Sequence, residues 1–364
     1  MTIYEAIDTI PKPTDRTRNS TRVATGPTPI GRSTRWKASV VVAGLAAALF
    51  VTSPTKAPAA QTEPEWLSTV NAYRAASGLG PISNDAALQA GVDKHVQYLA
   101  SSASLVHNED SGAAGFSPEG ALAAQQSLLG GWKNANRTDR QVVEDLLIAP
   151  FHAVHLFEPR WERGAYASSR DVPGASLSVA GVLNVTGGIG KRVPIHEPVL
   201  FPGRGATIPM TSFVTEVPSP LTACPGYAAP AGLPIFALFP SLPSTAVGSV
   251  RQGENQIEVC VIDRNYSNPD AAAQATGRQL MNQKNMIMVI PKAPLTAGLS
   301  YDVVIDGGTA GKANWSFTIG VPDVALPVPS VTRVADGTGS ATSGTPMVKL
   351  QLALPAVPPS MTTS

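Results

Sequence analysis

Two periodicities divide this chain of 364 residues. In its first part apolar residues recur every three to four positions. Trp66, Val70 and Tyr73 fall at i, i+4 and i+7 and predict an amphipathic helix, which Gly78-Leu79-Gly80-Pro81 stops. Asn84 or Asp85 is a natural N-cap for a second helix reaching about Ala103, with Leu88, Tyr98 and Leu99 among its apolar positions and His95 expected to pack against a neighbour. Ser117-Pro118-Glu119 reads as N-cap, N1 proline and early acidic residue of a third helix, running to about Leu129 and ended by Gly130-Gly131. Thr138 with Gln141 forms a capping-box pattern for a fourth, in which Val142, Val143, Leu146 and Leu147 repeat with helical spacing before Pro150 ends it.

From about residue 164 the period falls to two. Gly164–Ser168 and Ala175–Val185 alternate apolar with small polar residues, like strands of one sheet against which the helices would pack. A proline-rich passage, Pro194 to Pro202, reads as a linker. Beyond it Phe213–Val217, Ile235–Phe239, Ile257–Ile262, Met286–Ile290, Tyr301–Ile305 and Asn314–Ile319 are short strand candidates between turn residues, the pattern of an all-β, Ig-like sandwich. The expected fold class is therefore α+β followed by an all-β domain.

The N-terminus changes the picture by removing residues from the folding argument. Residues 1–37 are polar and basic. An uncharged apolar run follows, Ala38 to Val51, and then Ala57-Pro58-Ala59 in the A-x-A form of a signal-peptidase site. Export is the economical reading, as a cleaved signal peptide or as a retained membrane anchor; the run is short of the roughly 20 residues that span a bilayer. The resulting division is 1–60 tail and export segment, 61–193 first domain, 194–321 β-domain, and 322–364 a Pro/Ser/Thr-rich tail expected to be disordered. Membrane contact is expected only through the apolar segment. Charged residues are 15% of the chain and the net charge is +1, so no field attracts nucleic acid. Cys224 and Cys260 are the only cysteines; in an oxidising compartment they are expected to form one disulfide, two separate buried thiols being the other reading.

Several segments taken in order resemble a known family. Val70-Asn71-Ala72-Tyr73-Arg74, Gly78-Leu79, Pro81, Asn84-Asp85 and Leu88 look like the opening of bacterial CAP domains, the cysteine-rich secretory, antigen 5 and pathogenesis-related proteins. His107-Asn108-Glu109-Asp110 is similar to the family's loop histidine, Pro118-Glu119-Gly120 takes the place of its Gly-Glu-Asn element, and Pro150-Phe151-His152 that of Pro-Gly-His. Phe157-Glu158-Pro159-Arg160-Trp161 with Gly164 resembles the turn into the next strand. The likeness covers about Glu65 to Val185.

What this resemblance implies is an α-β-α sandwich with a central cleft, where two histidines and two acidic residues converge and bind a divalent metal such as zinc. His107, Glu119 and His152 match three of the four; Glu144 and Asp145 stand in for the fourth by proximity, while His155 and Glu158 are expected at the surface. Two His and one Glu form a recognised catalytic-zinc ligand set; in the hydrolase alternative His107 and His152 would be the ligands and Glu119 the base. No cofactor is required by the sequence. Neither a G-x-S-x-G elbow, an H-E-x-x-H helix nor a phosphate-binding loop occurs, and the first domain has no cysteine nucleophile. The leading expectation is a non-enzymatic cell-envelope protein binding a small apolar or glycan ligand, or a metal, in the cleft. A hydrolase and a structural or adhesive surface protein are the alternatives.

Overall fold

The computed structural model describes residues 63–102, 105–133, 136–170, 177–191, 194–321, 330–333 and 350–353. The export segment lies outside them, as does most of the tail expected to be disordered. Within that tail Ser330–Arg333 and Leu350–Ala353 pair as antiparallel strands, contrary to expectation.

The first unit runs α1 (Glu65–Ala76), β1 (Ser83–Asn84), α2 (Ala86–Ser102), α3 (Pro118–Gln125), β2 (Ser127–Trp132), α4 (Asp139–Leu147), α5 (Pro150–Leu156), β3 (Trp161–Arg170) and β4 (Val179–Ile189). The strands form one sheet in the order β1-β3-β4-β2. Alternate residues go to opposite sides. Leu128, Tyr166 and Leu183 pack with α1, α4 and α5, whereas Leu129, Ala165, Ala167 and Val182 pack with α2 and α3. Helices thus cover both faces, and the middle of each long strand is apolar or small throughout.

The caps predicted from local sequence are present. Asp85 Oδ1 accepts the Ala87 N–H, Ser117 Oγ accepts that of Gly120, and Thr138 and Gln141 form the reciprocal capping box. The third helix is shorter than predicted: it ends at Gln125, and Ser127–Trp132 is a strand buried at all six positions. Burial on both faces removes the polar alternation that identifies a strand, so Leu128 and Leu129 read as helix. Pro150 ends one helix and also opens another, α5, every residue of which is buried.

The second unit contains β5 (Val199–Phe201), β6 (Thr207–Ile208), β7 (Ser212–Phe213), β8 (Ala231–Gly232), β9 (Ile235–Leu238), β10 (Val247–Gln252), β11 (Asn255–Ile257), β12 (Val259–Ile262), α6 (Ala271–Gln283), β13 (Met286–Pro291), β14 (Ser300–Asp306) and β15 (Lys312–Ile319). Two sheets, β11-β10-β14-β15-β6 and β12-β13-β9-β5, contribute Val250, Val303 and Phe317 from one and Ile235, Ile287 and Val289 from the other to a common core. The expectation of an all-β domain is corrected by α6. Its signal was local: Asp270 Oδ1 accepts the Ala273 N–H as an N-cap, ahead of an alanine-rich run. Cys224 and Cys260 are disulfide-bonded, tying the turn after Pro220–Ala223 to β12. Among the described residues no helix is long and apolar enough to cross a membrane.

No solvent gap separates the two units along α5. One apolar cluster continues from Trp66, through Phe151 and Phe157, to Phe236 and Ile319.

Candidate functional site

Histidines and carboxylates of the first unit gather in two places. Between α2 and α3, His95 donates from Nδ1 to Glu109 Oε1 at 2.9 Å, and both side chains are fully buried. The other oxygen of Glu109 accepts the Ser117 N–H at 3.0 Å, tying the pair to the start of α3. Gly120 makes room for this carboxylate: a Cβ there would stand 2.5 Å from Glu109 Oε1. Burial pushes His95 below the ordinary histidine range, against the pull of Glu109. His107 lies near enough to lower it further, and donates from Nδ1 to the Ala124 carbonyl at 2.8 Å.

The second place is α5 and its contacts with the second unit. His152 Nδ1 donates to Glu216 Oε1 at 2.6 Å. The same carboxylate accepts the backbone N–H groups of Phe151 and His152, at 3.1 and 2.8 Å. Three residues on, His155 is buried; burial, with Lys284 and His152 nearby, drives its pKa well below the usual value. Burial also acts to raise the Glu158 carboxyl, but hydrogen bonds from Arg160 and Lys284, each at 2.7 Å, outweigh it and hold that group at about 2. The expectation that His155 and Glu158 are surface groups is thereby corrected. Both lie in the seam between units, because α5 is covered on the side that a free-standing domain would expose.

Glu119 belongs to neither group. It lies in the first turn of α3, its side chain 61% exposed, and pairs with Lys94 at 2.9 Å. Glu144 accepts from Tyr73 Oη at 3.1 Å and from Arg140 at 2.9 Å, beside a groove of about 290 Å³. Asp145 pairs with Arg137 at 2.7 Å. His107, Glu119 and His152, expected to converge on one metal, thus have three different partners: the Ala124 carbonyl, Lys94 and Glu216. Among the described residues no group of three His, Cys, Asp or Glu side chains is placed to hold a metal ion. His107 and His152 each use Nδ1, on the Ala124 carbonyl and on Glu216, an arrangement that fixes the ring and leaves Nε2 outside these bonds, while Glu119 answers a lysine at the surface.

Sequence reasoning passed over Glu109, Glu216 and Lys284. Nothing near Glu216 marks it as buried, since its hydrogen-bond partners stand 64 and 65 residues away.

Asp145 yields a pH prediction. Burial raises its carboxyl to about 6, with Arg137 opposing. A folded-state value above the unfolded one means that the native state binds the extra proton, so this group costs stability above about pH 6 and the cost fades as pH falls towards 4. The full effect is at most about 3 kcal/mol. In urea unfolding at pH 4.5 and pH 8, Asp145→Asn is expected to gain on the parent at pH 8 and lose that advantage at pH 4.5. An advantage of equal size at both values would refute the assignment.

Two grooves flank the crossing from the first unit to the second. One, about 560 Å³, is lined by the loop after α1, by Ile195 and His196, and by Arg204; the other, about 540 Å³, is lined by Arg160, Ile195, Phe239, Lys284 and Asn285.

Residues 67–178 match the model of the CAP family, described as the cysteine-rich secretory protein family. The chain carries a CAP domain over that span, which ends just before β4. No curated protein matches the chain.

Proposed function

We propose that this is an exported bacterial cell-envelope protein without catalytic activity, in which the CAP unit and an Ig-like second unit together form a binding or structural module. Export is supported by the apolar run Ala38 to Val51 behind basic residues, and by the Cys224–Cys260 disulfide, a bond of oxidising compartments. The absence of catalysis rests on one observation. Glu119, the candidate base, is exposed in the first turn of α3 and pairs with Lys94 rather than with either histidine. A metal-activated water needs its ligands and base within a few ångströms of each other. A small extracellular apolar or glycan ligand would sit in the grooves at the seam, whose volumes fall in the range of small-molecule sites.

Zinc titration calorimetry on residues 61–364 tests this reading, with the parent, Glu119→Gln and His152→Ala compared. Expected is no saturable binding near one equivalent that depends on His152, and no zinc-dependent hydrolysis of ester or peptide probes that Glu119→Gln removes. Binding of one equivalent abolished in His152→Ala, together with activity lost in Glu119→Gln, would restore the hydrolase.

A further inference from the structure

The seam between the two units is built from groups that neither unit satisfies alone. Glu216 is 2% exposed, and all three of its hydrogen bonds among the described residues come from Phe151 and His152, across the seam. A carboxylate taken out of water needs such partners, so the second unit buries a charge for which only the CAP unit provides. The dependence is mutual. Phe151 and Phe157 of the CAP unit are almost wholly buried, and their ring neighbours are Tyr266, Phe201 and Phe236 of the second unit, 5.2–5.6 Å away between centroids. Lys284 crosses to Glu158, and Ser77 Oγ donates to the Leu200 carbonyl at 2.7 Å. Gly203 lies so near α1 that a Cβ there would meet the Ala76 carbonyl oxygen at 2.1 Å.

We infer that the CAP unit of this chain is completed in cis by residues 199–321, so that the two units unfold as one cooperative body, with Glu216 as the residue that couples them. The second unit is then a structural half of the CAP fold rather than a detachable spacer. His152, at the position where the family resemblance expects a cleft ligand, gives its Nδ1 to this coupling.

Hydrogen exchange measured by mass spectrometry on residues 61–364, across a urea series, decides the matter because it reports each sheet separately. Two variants are compared with the parent: Glu216→Gln in the seam, and Val303→Ala in β14, a core position of the second unit. Expected is that peptides of β4 and of β13 lose protection at one urea concentration in the parent, and that both variants move the two midpoints down together by the same amount. The inference is overturned if β4 keeps its protection at concentrations where β13 has lost it, or if Val303→Ala shifts β13 and leaves β4 where it was. Val303→Ala keeps the test informative should Glu216→Gln fail to fold.

Discussion

Replacing Arg74 with methionine is expected to lower the unfolding free energy by about 3–5 kcal/mol, because several buried carbonyls lose their donor at about 1–3 kcal/mol each. Arg74 lies on α1 and is 1% exposed. Its guanidinium donates to the carbonyls of Gly80 (3.0 Å), Leu156 (2.7 Å), Glu158 (3.0 Å) and Trp161 (3.2 Å), and lies 5.5 Å from the centre of the Trp161 ring. One side chain thus fastens the end of α1, the end of α5 and the start of β3. Burial lowers its pKa to about 10 against the pull of Glu158, which leaves it charged at neutral pH. Methionine preserves much of the volume and offers no donor, so the buried carbonyls of Leu156, Glu158 and Trp161 are left without one. Arg74→Lys should recover only part of the loss, because an ammonium lacks the planar fork that spans four acceptors. Urea unfolding of the three proteins at pH 7 measures both differences. A loss under about 1 kcal/mol for Arg74→Met would mean that water or another donor takes the place of the guanidinium.

Truncating Phe157 to alanine is expected to cost about 3–5 kcal/mol as well, the range for removing a buried phenylalanine. Its ring is fully buried at the end of α5 and stands 5.2 Å from Phe201 and 5.6 Å from Phe236, the latter edge-on. The three rings form the apolar centre of the seam, and the cavity left by truncation would be walled by rigid aromatic groups and β5 and β9 backbone. Such a site relaxes poorly, which puts the cost towards the upper end. Phe157→Leu should recover much of it by refilling the volume. Thermal unfolding of the parent and both variants reads the effect. If Phe157→Ala unfolded within a degree or two of the parent, the seam would not be packed as described.

The starts of the second, third and fourth helices were legible because their signals are local. Asp85, Ser117 and Thr138 cap helices through hydrogen bonds to residues two or three positions on, so the residue types and their spacing suffice to place them. The strand Ser127–Trp132 and the helix Ala271–Gln283 were missed for different reasons. The first is buried on both faces and shows no alternation; the second was legible from Asp270 and its alanines, but a run of neighbouring strands outweighed it.

The candidate site divided along the same line. Sequence alone determined that His107, Glu119 and His152 occur in the family's order, and that each begins or follows a helix. It could not determine where their side chains end, because that depends on groups brought close only by folding. Lys94 draws Glu119 to the surface from 25 positions away, and Glu216 takes His152 from 64. A helix start is decided by hydrogen bonds within one turn. The fate of a buried imidazole is decided by whichever carboxylate is desolvated beside it, and in this chain the tertiary structure supplied that carboxylate from the second unit.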